Sequence, residues 1–358
     1  MGILLHEMAH ALSAKAFGLF VLRVTLGWKK LKFKTRWLGV DILFSSFREG
    51  GLTIFAPQTK NKLRLKMMFV ILIAPAVNLA IAGAAAAGIQ WAKISPLHLD
   101  KSLFLFSILL PQAIILLGAL YPFPRKLEGN VFWPDIPNTF RWMFMKQAAI
   151  EKALESQWLL QGIRAFEERN LASSLAHFER YLPSEPKNEN ALLTTMFLQT
   201  LLGRPKEALA TWQNLAPLVP EIKIATLRSQ AWNLTACLLL YLQPENHAEN
   251  AETNARLACE ANKSDATEST LGASKIAGGK YEEGISLLIS LVEKKRSPAE
   301  ELWDRSFLHL AYRKAGPEVA FESNRKRILE LWKPDLLLEG LDRMMIEKNL
   351  EDLIRENK

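Results

Sequence analysis

The chain has 358 residues, 49% of them hydrophobic, and a formal net charge of +8, a length that leaves room for two domains. The positive charge is local: positions 23–66 hold eleven Lys and Arg against Asp41 and Glu49. That is the pattern of a basic loop flanking membrane spans, with anionic headgroups nearby, and no nucleic-acid partner is expected from it. Cys237 and Cys259 match no zinc spacing and read as free thiols, which excludes a disulfide framework.

The first apolar segment, about 3–22, carries His6, Glu7, His10 and Lys15 inside it. A cleaved signal sequence would put positive charge ahead of the apolar stretch, so this segment reads instead as a span with a functional polar cluster. Within the basic loop, 21–26, 31–35 and 40–44 alternate apolar and polar residues, and Gly50-Gly51 precedes another such run at 52–55. These predict short strands and a small β-hairpin insertion at the membrane surface.

Two uncharged stretches follow, 26 residues at 67–92 and 23 residues at 102–124. Each is long enough to span, and neither shows the polar stripe of a soluble core helix. Small residues between Ala80 and Gly88 predict close helix packing there. With the basic loop cytoplasmic, 67–92 runs outward and 102–124 returns, so everything after Arg125 is cytoplasmic.

From about Gln147 the pattern changes to amphipathic helices punctuated by Pro and Gly. Asn170-Leu-Ala-Ser-Ser-Leu-Ala-His-Phe and Gly203-Arg-Pro-Lys-Glu-Ala-Leu-Ala-Thr are offset by 33 residues, with Pro183 and Pro217 near the ends of the second helices. Gly279-Lys-Tyr-Glu-Glu-Gly-Ile-Ser-Leu follows 76 residues after Gly203, which leaves room for a degenerate unit between. The spacing is close to a tetratricopeptide repeat, whose stacked helix pairs form a groove for a protein or peptide partner. The predicted architecture is mainly α: a polytopic membrane helical bundle over 1–144, then a cytoplasmic helical-repeat domain over 145–358.

His6-Glu7-Met8-Ala9-His10 is an HExxH pattern. On a helix, positions i and i+4 share a face, so two imidazoles can reach one zinc ion while Glu7 stands beside them to take a proton from the attacking water. His98, His177, His247 and His309 lack ligand spacing and carry no expected chemistry.

Residues 3 to 145 resemble the site-2-protease family of intramembrane zinc metalloproteases. The features that carry the resemblance are His6 to Leu12, Gly18 with its strand-like run, the basic loop, Ala74-Pro75-Ala76-Val77-Asn78 and Leu120-Tyr121-Pro122-Phe123-Pro124. It implies Zn²⁺ on His6, His10 and a downstream aspartate, with Glu7 as general base and Asn78 in contact with substrate or the zinc-bound water. The family's Asp-Gly pair is absent, and the third ligand is either Asp135, preferred, or Glu128. Both follow the cytoplasmic end of the last span, on the side where His10 nears the end of its helix. The implied activity is hydrolysis of peptide bonds in membrane-associated proteins, in the bilayer of a bacterial inner membrane. The alternative is a catalytically inactive anchor for a helical-repeat adaptor, suggested by the missing Asp-Gly pair and by the five residues that precede His6.

The topology is testable with reporter fusions. Those after Asn130 and Lys358 should report cytoplasm, and one within 93–101 the opposite side. A C-terminal reporter on the outer face would overturn the shared location of the ligands.

Overall fold

The computed structural model describes residues 2–27, 31–45, 50–94, 99–121, 125–127, 130–132, 134–242, 244–294, 296–333 and 339–356. The chain divides into two compact units, Met1–Arg164 and Ala165–Lys358.

In the first unit, α1 (Gly2–Ala16) buries one face made of Gly2, His6, Glu7, His10, Ala11 and Ala14. The helix stops where Gly18 adopts a φ of +71°, a left-handed conformation that glycine takes without a Cβ penalty. Residues 20–22, counted with the first span on hydropathy, therefore belong to β1 (Phe20–Leu26). β2 (Phe33–Trp37), β3 (Val40–Phe44) and β4 (Gly51–Ala56) fall where the alternation placed strands.

The sheet is more than a hairpin. Its order is β2-β3-β1-β4, with β1 and β3 parallel and the other pairs antiparallel. Val21, Leu22, Val24 and Leu26 of β1 are all buried, so this strand takes a central position and needs a partner on each side. Within this sheet β2 and β3 form a tight hairpin, turned by Leu38 and Gly39, both at positive φ.

α2 (Leu63–Ile94) packs against α1 and α3 (Leu99–Leu120). Among the described residues, Leu63–Gln90 is the stretch long and apolar enough to cross a membrane, and Phe104–Leu120 is a shorter apolar helix. A two-stranded ladder, β5 (Arg125–Leu127) and β6 (Asn130–Phe132), follows. Then α4 (Asp135–Met143) returns to pack on α2 and α3.

α5 (Gln147–Glu167) continues the first unit rather than opening the second. Ile150 and Leu154 join the core of Met8, Leu19, Val24, Met67, Val70 and Trp142. Arg164 lies over the Phe20 ring and donates to the carbonyls of Val21, at 3.0 Å, and Leu22. Leu22 sits where the β1–β4 register shifts, so its backbone lacks a ladder partner in β4 and the guanidinium serves it. With these contacts the first compact unit runs on to Arg164.

The second unit is built of helix pairs. α6 (Leu171–Tyr181) follows the end of α5; α7 (Glu189–Leu201) pairs with α8 (Pro205–Leu215), and α9 (Ala225–Leu242) with α10 (Pro244–Ala261). α11 (Asp265–Ala277) pairs with α12 (Tyr281–Val292), and α13 (Pro298–Ala315) with α14 (Glu318–Leu331). The turn before α6, α8 and α12 holds one residue at positive φ: Arg169, Gly203 and Gly279. The true register thus aligns Arg169, not Asn170, with Gly203. The degenerate unit anticipated between the second and third copies is α9–α10. Pro183 and Pro217 fall at the ends of the helices as read, Pro183 inside a short 3₁₀ turn.

α15 (Gly340–Asn349) and α16 (Glu351–Glu356) complete the unit. α15 lies against the first helices of three pairs, α7, α9 and α13. Its Leu341 enters the cluster with Leu192 and Met196, its Met345 the one with Leu240 and Phe307, and its Ile346 the one with Leu302 and Ile328.

Produced alone, residues 165–358 should be soluble without detergent and mainly helical by circular dichroism. A strand-dominated spectrum, or a need for detergent, would count against an independent helical unit.

Candidate metal centre

His6 and His10 lie one turn apart on α1, both buried, with ring centroids 4.9 Å apart. Their Nε2 atoms face Asp135, the first residue of α4: His6 Nε2 is 3.0 Å from Oδ2 and His10 Nε2 is 3.3 Å from Oδ1. The three ligand atoms fall within 4.8 Å of one another. Asp135 gets there because Trp142, two turns along α4, is buried in the core beside Val70 and Met67 of α2. An ordinary aspartate is ionised at neutral pH, so Asp135 offers a carboxylate here.

The outer nitrogens are committed. His10 Nδ1–H donates to the Val70 carbonyl at 2.8 Å, and His6 Nδ1–H donates to Asn78 Oδ1 at 2.9 Å. With the proton on Nδ1, each Nε2 offers a lone pair. Two such lone pairs and a carboxylate turned toward each other repel unless a cation lies among them. The donor set of two imidazoles and one carboxylate, each imidazole fixed by an outer acceptor, fits zinc with a position left for water.

Glu7 lies beside the ligands, 7% exposed. The Thr53 hydroxyl of β4 is 2.7 Å from Glu7 Oε2 and 2.9 Å from the Glu7 carbonyl. At Gly51, also on β4, any Cβ would come within 2.5 Å of Glu7 Cγ, so only glycine lets the strand approach the carboxylate this closely.

Asn78 is 0% exposed, and both ends of its amide are used inside the protein, Oδ1 by His6 and Nδ2 by Gln112 Oε1 of α3. In this arrangement Asn78 supports the His6 ring. Glu128, the alternative ligand, lies outside the described residues, as does His98. His177, His247 and His309 join no group of metal-ligating atoms among the described residues.

Thr53, Val70 and Gln112 were not singled out from the sequence, and Gly51 was read only as part of a turn. Only Gln112 carried a signal, as a polar amide inside an uncharged stretch, the same mark that drew attention to Asn78.

With that geometry in place, the comparisons are informative: the sequence matches Peptidase family M50 over residues 1–304. The chain belongs to this family of metalloproteases. The M50 match covers both the HExxH helix and Asp135, so the converging residues lie inside it. No curated protein matches the chain. Solved structures similar to part of it include the MamA protein, at 16% identity over 51% of this chain and 97% of that one, with a TM-score of 0.39. Another is a thermophilic TPR protein of Thermus thermophilus, at 21% identity over 55% and 99%, with a TM-score of 0.36.

Purified in detergent, the chain should hold about one zinc ion. His10→Ala and Asp135→Ala should each abolish retention when metal content is measured after gel filtration, because two remaining ligands hold zinc weakly. Metal retained by Asp135→Ala would point to a different third ligand.

Proposed function

We propose that the chain is an active intramembrane zinc endopeptidase that cuts membrane-associated proteins. The observation that carries this is the convergence of His6, His10 and Asp135 beside a buried Glu7. Zinc would be held by His6 Nε2, His10 Nε2 and an Asp135 oxygen, and it supplies Lewis acidity toward water and a peptide carbonyl. Glu7 takes the proton from the attacking water and returns it to the leaving amine. Thr53 holds the Glu7 carboxylate in one rotamer, ready for the transfer. The position of Asp135 beside His6 and His10 weighs against the inactive-anchor alternative, which drew on the missing Asp-Gly pair.

The bilayer reading rests on surface chemistry as well as length. Phe69, Ile73 and Leu79 of α2 and Phe106, Ile114 and Leu117 of α3 stand exposed. A water-facing apolar patch of this extent is rare in soluble proteins, whereas a bilayer covers it without cost. The polytopic arrangement then consists of α1, α2 and α3, with the helical unit in the cytoplasm of a bacterium.

The helical unit would bind a substrate or regulator protein. Because α15 packs across α7, α9 and α13, an extended peptide cannot occupy the whole of that face. A cavity of about 230 Å³ remains, lined by Asn233, Cys237, Ser269, Arg296, Trp303 and Asp342, among others, and it is the proposed docking point.

Two variants test the mechanism in a cleavage assay on a membrane-protein substrate. Glu7→Gln should keep zinc and lose at least about 100-fold in rate, the usual contribution of a general base. Thr53→Val should keep zinc and lose about tenfold, because the base then samples other rotamers. A Glu7→Gln chain that cleaves at the parental rate sinks the mechanism.

A further inference from the structure

Gln112 is a buried amide, 4% exposed, and the one polar side chain from Ile108 to Leu120 of α3. It touches no ligand, yet it ends a three-residue chain that reaches one. Its Oε1 accepts from Asn78 Nδ2, and Asn78 Oδ1 accepts from His6 Nδ1 at 2.9 Å. An amide has one accepting end and one donating end. With Nδ2 committed to Gln112, Asn78 can present only its oxygen to His6, and the imidazole must meet it with a proton on Nδ1. The Nε2 lone pair is then free on the side of Asp135.

Reversing the chain reverses the outcome. An Asn78 turned by half a rotation would present its NH₂ to Nδ1 and select the tautomer protonated on Nε2, which cannot bind metal through that atom. His10 carries no such risk, because its partner is a backbone carbonyl that can only accept. The close approach of α3 is also provided for. A Cβ at Gly2 of α1 would lie 2.8 Å from Gln112 Nε2 and 2.9 Å from Ile115 Cδ1, so the glycine makes room for the Gln112 amide.

We propose that Gln112 is a positioning residue that sets, through Asn78, the tautomer in which His6 binds zinc. The proposal rests on the metal-site reading above.

The test measures zinc affinity of the full chain in detergent by competition with a chromogenic chelator, alongside thermal unfolding. Gln112→Met keeps the volume but cannot accept, and it should weaken zinc binding by roughly 10- to 100-fold, the usual effect of losing an outer partner. Gln112→Glu still accepts and should stay within about threefold of the parent. A packing role would not separate the two variants in that direction. Asn78→Asp, which can only accept, should bind zinc at least as tightly as the parent, and this arm survives a misfolded methionine variant. Parental affinity in Gln112→Met, or equal losses in Gln112→Met and Gln112→Glu, overturns the relay while leaving the metal site standing. A weaker Asn78→Asp does the same. A parent chain that holds no zinc overturns the metal-site reading and the relay together.

Discussion

Three electron-pair donors brought together in a dry place are the constraint around which the first unit is arranged. His6, His10 and Asp135 repel one another without a cation, and five elements of the unit hold them there regardless. α1 gives the i, i+4 pair; α2 gives the Val70 carbonyl and Asn78; α3 gives Gln112. α4 gives the carboxylate, carried on a helix anchored by Trp142, and β4 gives the Thr53 hydroxyl and the bare approach at Gly51. Removing water from such a site strengthens every electrostatic contact in it, which explains why the outer hydrogen bonds are complete.

Pro75 illustrates how an apolar helix takes part in this. It lacks the N–H that the Ile71 carbonyl would use, which loosens the turn next to Val70, whose carbonyl receives the His10 proton. Asp135 benefits from its place in the first turn of α4, where the helix dipole favours negative charge. Neither effect is large alone, but both act in the direction the site needs.

The helical unit follows a different logic. Each pair buries one face on the next, and the left-handed residue at Arg169, Gly203 and Gly279 reverses the chain at the same point of the repeat. α15 then ties distant pairs together by entering three hydrophobic clusters at once, which no nearest-neighbour stack would do. Lys348 Nζ donates to the Tyr241 carbonyl at 2.7 Å and Asn349 Nδ2 to Ser306 Oγ at 3.2 Å, so its polar side is also bound to α9 and α13.

The local features were legible in the sequence because they depend on pattern along the chain. The HExxH spacing and the alternation of β1 to β4 follow from 3.6-residue and two-residue periods, the uncharged stretches from their length, and the repeat turns from recurrence of one short pattern along the chain. The one-residue slip at Asn170 arose because an arginine, not a glycine, holds the left-handed position there. What the tertiary structure alone decided is which distant residues meet. Asp135 is separated from His10 by the whole sheet and two long helices, and its aim depends on Trp142 packing. Thr53, Val70 and Gln112 are ordinary residues whose roles come from contacts at separations of 34 to 60 positions, with no periodic trace. The parallel pairing of β1 with β3 and the passage of α15 across three repeats are decided in the same way, by burial of faces that no single segment can cover by itself.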